Sequence, residues 1–140
     1  MNIKLFKTVF LIAFSFNYLF ASTDYFNEGL ILFEKKEFDK AKFKFEQDIV
    51  FNPKSEKSYL YLSKIFNKQE KTELEEKNLN TVILLNPKNE EAVFNLAKLK
   101  LKESDFTGSK ELIDTLLVFC KKYCQRSQKL KIEIEKSLKK

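Results

Sequence analysis

The 140-residue chain contains no histidine. That removes the commonest general base and the commonest metal ligand together. Two cysteines, Cys120 and Cys124, are too few to build a four-ligand zinc site. Arginine occurs once, as Arg126, among 26 basic residues, whereas proteins that read base edges and phosphates lean on arginine forks. The lysine-rich surface, with a formal net charge of +6, therefore fits solubility better than nucleic-acid recognition, and no nucleic-acid partner is expected. Only two glycines and two prolines are present, which argues against a turn-rich β fold. Hydrophobic residues make up 44% of the chain, enough to exclude general disorder. The length suits one domain. No catalytic, cofactor-binding or metal-ligating constellation can be assembled, so the expectation is a non-enzyme without cofactors.

What is present begins with an apolar N-terminus. Residues 1–21 place Lys4 and Lys7 before a run from Thr8 to Phe20 that is interrupted by Ser15 and Asn17. A short basic region followed by a broken apolar run reads as a secretory signal peptide, with cleavage expected after Ala21. Leu19 is large for the −3 position of such a site, so an uncleaved N-terminal anchor is the alternative, and the only route to a membrane that the sequence suggests. No cysteine lies near the junction to accept a lipid. The expected location is exported, periplasmic or envelope-associated, and a cleaved chain would carry about +4.

The two prolines recur in one tripeptide, Asn52-Pro53-Lys54 and Asn86-Pro87-Lys88, and 87 − 53 gives a step of 34. Each closes an apolar run and precedes another, as expected where proline ends a helix. Spacings of three and four pervade the chain from Tyr25 onward and indicate helices. Ser22 is expected to cap the first, with Asp24 in its opening turn. Asn89 is expected to cap a later one, supported by Glu90 and Glu91. The charged stretch from Lys71 to Lys77 reads as a solvated face with i,i+4 support.

Gly29 in a first helix, Ala41 and Phe45 in a second, and Pro53 at the close resemble the tetratricopeptide repeat (TPR). The resemblance implies an all-α fold, a right-handed α-solenoid of three helix-turn-helix repeats at about 22–55, 56–89 and 90–123. A C-terminal capping helix is expected at 125–138, with the domain spanning 22–138. Repeat two departs at Glu75, where repeat one has Ala41, and Leu79 replaces the aromatic. Repeat three keeps Ala97, Phe106 and Ser109, but Lys121 stands where the closing proline should be.

The resemblance also implies a concave groove lined by the first helix of each repeat. In that register stand Phe26, Leu30 and Phe33, then Leu60, Lys64 and Lys68, then Phe94, Lys98, Leu101 and Lys102. Apolar anchors beside lysines imply a protein or peptide partner carrying apolar and acidic side chains. Any one of these aromatics could equally close the core between repeats. The subtype that grips chaperone C-termini through two carboxylates needs lysine and asparagine where this chain has Phe26 and Leu30, so that activity is not expected. The function implied is an adaptor or assembly factor in the bacterial envelope, with a permanent subunit of an envelope complex as the alternative. Cys120 and Cys124 sit where repeat three meets the cap. Across a turn a disulfide is feasible, and an oxidising compartment favours it, but buried thiols or a redox pair fit the spacing too.

Overall fold

The computed structural model describes residues 24–139. The export segment expected at 1–21 and the cap expected at Ser22 lie outside them. Seven helices follow in order: α1 Tyr25–Glu34, α2 Phe38–Phe51, α3 Glu56–Lys68, α4 Thr72–Leu85, α5 Glu90–Lys102, α6 Phe106–Phe119 and α7 Cys124–Ser137. The first six pair as three hairpins stacked side by side, and α7 lies on the last. Among the described residues there is no strand, and no helix is long and apolar enough to cross a membrane.

Local chemistry starts and stops these helices. Asp24 itself caps α1, its carboxylate accepting from the Asn27 N–H at 3.0 Å. Asn89 caps α5 through the Ala92 N–H at 2.8 Å, and Asp105 caps α6 through Gly108 at 2.9 Å. Every first helix ends in the same way. The N–H groups of Glu37, Lys71 and Asp105 donate back to the carbonyls of Leu32, Phe66 and Lys100 at 2.9, 3.0 and 2.9 Å. One residue earlier, Lys36, Glu70 and Ser104 donate to Phe33, Asn67 and Leu101. These are paired closing bonds of the Schellman type, which require a left-handed residue. Lys36, Glu70 and Ser104 supply it with φ of 63°, 56° and 65°, and none of them is glycine.

The second helices stop at the proline turns. Asn52 and Asn86 accept from the N–H groups of Ser55 and Asn89 at 2.9 and 3.0 Å, with proline in the second turn position, where its fixed φ belongs. The third junction is built differently. The N–H groups of Lys121, Lys122 and Tyr123 all donate to the Glu90 carboxylate, at 2.9, 2.8 and 2.8 Å. Proline at 121 would remove one of these donors, which gives a physical reason for lysine there. Glu56, 34 residues before Glu90, does the same work one junction earlier by accepting from the Asn86 and Asn89 side chains. Cys120 and Cys124 are joined by a disulfide across this third turn, with Cα atoms 5.3 Å apart.

The core runs as three clusters along the stack. Ala41, Phe45, Leu62, Ile65 and Phe66 fill the first, with Gly29 pressed so close to Phe45 that an added Cβ would lie 2.8 Å from the ring. Leu60, Leu79, Val82, Ala92, Leu96 and Leu99 fill the second. Val93, Phe94, Ala97, Ile113, Leu116, Leu130 and Ile134 fill the third, where Leu130 and Ile134 are the inner face of α7. At the first seam Ser58, fully buried, donates to Asp48 and accepts from Ser55. At the equivalent points of the second seam stand Val82 and Ala92, both buried and apolar.

The charged stretch in α4 behaves differently from the solvated face expected of it. Glu75 is buried and accepts from the Asn67 side chain at 3.0 Å, and Glu76 reaches across to Lys100 at 2.6 Å. The reason is position: Glu75 occupies the helix-crossing site held by Ala41 and Ser109 in the other hairpins. Ser109 satisfies itself there by donating to the Ala97 carbonyl at 2.7 Å.

Candidate interaction groove

Stacking three hairpins in one orientation puts α1, α3 and α5 side by side, and a hollow of about 370 Å³ opens along them. Phe33 stands at one end. The walls are Lys64, Asn67 and Lys68 from α3 and Glu91, Asn95, Lys98 and Lys102 from α5, over a floor of Ser63, Leu99 and Glu75. A second hollow of about 370 Å³ shares Lys98 and Lys102 and continues toward α7, where Leu101, Phe106 and Leu130 give it an apolar wall. The two lysines thus stand at a waist between the two hollows of a trough, lining both.

Its charges are unevenly satisfied. Lys64 pairs with Glu91 at 2.8 Å and lies 4.6 Å above the Tyr61 ring. Lys68 lies over the Phe38 ring at 5.4 Å. Among the described residues, Lys68, Lys98 and Lys102 form no ion pair. Burial raises the Glu75 pKa above its ordinary value; the Asn67 bond and then Lys102 and Lys98 offset this only in part. Four lysines line the first hollow against Glu75 and Glu91, so it carries net positive charge.

The residues placed in the groove by sequence divide in two. Phe33, Lys64, Lys68, Lys98 and Lys102 line the first hollow, and Leu101 lines the second. Leu60 and Phe94 are buried at 8% and 5% exposure and belong to the core between hairpins. Phe94 is also covered from outside by Tyr123, with ring centroids 5.3 Å apart, and by Arg126 at 4.9 Å. Phe26 is half-buried against Phe45 and Tyr61, both at 5.8 Å, with Lys57 above its ring. Leu30 is half-buried and lines neither hollow. For Phe26, Leu60 and Phe94 the reason is helical phase: positions 26, 60 and 94 turn toward the next hairpin, and the groove begins one turn later. Leu30 shares the phase of Lys64 and Lys98 yet lines neither hollow. Asn67 was missed although it lies 34 residues after Phe33. Glu75 was seen only as a departure from pattern, when its small-residue site is what places it at the groove floor.

Stacked helical hairpins closed by a terminal helix define an α-solenoid. The particular solenoid is that of the tetratricopeptide repeat. No family model and no curated protein matches the chain, but solved structures do. The first TPR of Spaghetti (RPAP3), bound to the HSP90 peptide SRMEEVD, superposes with a TM-score of 0.75 at 13% identity, over 83% of this chain and 91% of that one. The TPR2B domain of yeast Sti1, in its pHsp70 complex, gives 0.74 at 14% identity over 81% and 94%. The Yersinia enterocolitica type III secretion translocator chaperone SycD gives 0.74 at 11% identity over 83% and 92%.

Proposed function

We propose that this chain is a non-catalytic protein-interaction module that holds an extended segment of an acidic partner in the trough along α1, α3 and α5. The observation that carries the reading is the waist: Lys98 and Lys102 face both hollows and form no ion pair among the described residues. Acidic side chains of a partner would pair there, and an apolar residue nearby would enter the Leu101, Phe106 and Leu130 wall. Two of the similar structures are complexes with HSP90 and Hsp70 partners, which supports peptide capture as a use of this fold. The terminal-carboxylate grip is not proposed, because Phe26 and Leu30 replace the lysine and asparagine it needs. The export-like residues 1–21 support an adaptor or assembly role in a bacterial envelope.

Anisotropy titrations with fluorescent peptides that combine an acidic pair with a leucine or phenylalanine test this reading. Lys98→Gln with Lys102→Gln should weaken binding at least tenfold and flatten its salt dependence, with unchanged circular dichroism. Equal affinity for acidic and basic peptides of the same apolar content would reject it.

A further inference from the structure

A second surface repeats at the opposite end of the second helices. Val50, Leu84 and Val118 are 74%, 82% and 86% exposed, and they stand 34 residues apart, one at the end of each of α2, α4 and α6. Four residues after each comes a lysine, Lys54, Lys88 and Lys122, all exposed and again 34 apart. Hairpins stacked in one orientation put all three helix ends along one edge of the solenoid. The edge is a row of protruding aliphatics with a parallel row of ammonium groups. Phe51 adds an aromatic, 73% exposed and stacked on Tyr25 at 5.4 Å.

A solvated helix end needs no aliphatic side chain, and three at one register are not the scatter expected of single exposed hydrophobics. Among the described residues, several acids of the flanking segments are engaged within the fold, and Glu46 is not. Asp48 accepts from Ser58, Glu56 from Asn86 and Asn89, and Glu90 from the turn before α7. Asp114 pairs with Lys110 and Lys131, and the exposed Glu46 stands a turn back from Val50. Lys54, Lys88 and Lys122 form no ion pair among the described residues.

We propose that this edge docks on an anionic lipid surface, with Val50, Leu84 and Val118 entering the headgroup boundary and the three lysines meeting lipid phosphates. The arrangement favours a bilayer over a protein partner for two reasons. The aliphatics stand out from the surface, so a protein would have to bring a matching groove, whereas a bilayer interface yields to protruding side chains. The cations follow each aliphatic at a fixed offset, as in interfacial elements that hold apolar groups below and lysines at phosphate depth. The surface is distinct from the trough and does not depend on its occupant.

The chain has no tryptophan, so Leu84→Trp provides a single reporter on this edge within the full-length protein, independent of any binding by residues 1–21. With vesicles of phosphatidylglycerol and phosphatidylcholine, its emission should shift to the blue and be quenched by brominated acyl chains. Both effects should fall at least fivefold in 0.5 M salt, in pure phosphatidylcholine, and in a background of Lys54→Gln, Lys88→Gln and Lys122→Gln. An unshifted, unquenched reporter on phosphatidylglycerol vesicles, even if the protein sediments with them, would overturn the proposal and leave the edge to a protein. A concentration-dependent blue shift without vesicles would also overturn it, assigning the edge to a second copy of the chain. Unchanged circular dichroism verifies that each variant is folded.

Discussion

Single side chains set the tolerances of this fold. Lys36, Glu70 and Ser104 hold a left-handed backbone that costs an L-residue about 1–2 kcal/mol and a glycine almost nothing. Part of that gain is lost to the freer unfolded chain, so glycine at any of the three should stabilise by about 0.5–1 kcal/mol. Thermal melts of the single and triple variants check this, with near-additive gains expected at such separated sites. Glu75 offers a second case. Burial, the largest influence, raises its pKa, so the folded protein holds this proton more tightly than the unfolded chain does. Stability from this site is therefore fully present below the ordinary carboxylate pKa and is lost as pH rises from there through the raised one. Glu75→Gln keeps the contact with Asn67 and removes the charge. The variant should melt higher than wild type at pH 7, and the difference should close toward pH 4.

Among the elements, α7 depends most on side-chain chemistry. Leu130 and Ile134 seat it on the third cluster, Asp114 pairs with Lys131 at 2.6 Å, and Glu90 holds the turn that launches it. Burial alone would raise the Glu90 pKa, but the N–H donors of Tyr123, Lys122 and Lys121 outweigh it and hold it below its ordinary value. Its contribution is then present above the ordinary carboxylate pKa and is lost as pH falls through the lowered one. Glu90→Gln should lower the melting temperature at pH 7, and the two proteins should converge in strong acid. The disulfide closes only a short loop, so reduction should cost about 2 kcal/mol at most by the chain-entropy estimate. Cys120→Ser with Cys124→Ser should match the reduced wild type in denaturant melts. The helices themselves were legible in the sequence, because the apolar period of three and four and the proline stops are local signals. The three left-handed closures were not, since lysine, glutamate and serine give no hint of positive φ. Nor was the Glu90 latch, which joins residues more than thirty positions apart.

Across the whole molecule, burial is lopsided. In α1 only Gly29 is buried, whereas α3 and α5 each bury six residues. Ile31 shows why: its counterparts Ile65 and Leu99 are at 0% and 3% exposure, while Ile31 is 53% exposed, because among the described residues no hairpin precedes it. In a linear array each unit draws stability from its neighbours, so opening should begin at α1. Hydrogen exchange of the full-length protein should find the amides of α1 least protected and those of α4 and α5 most protected. The same geometry explains which groove residues could be read in advance. The 34-residue step set the register, and Lys64, Lys98 and Lys102 from it line one hollow. It could not give the helical phase that sends Leu60 and Phe94 into the seams, since apolar side chains suit a groove wall and a core equally well.

The seams also bear on whether the hairpins are interchangeable. The first is keyed by Asp48 and Ser58, the second by Val82 and Ala92, and the third by a carboxylate that needs free backbone donors. Excising residues 56–89 would leave a chain of correct period, yet Asp48 would then face Ala92 in place of the Ser58 hydroxyl it accepts from. The units share a 34-residue length and a common shape, but their order is fixed by what each boundary needs: this array is a sentence, not a string of identical beads.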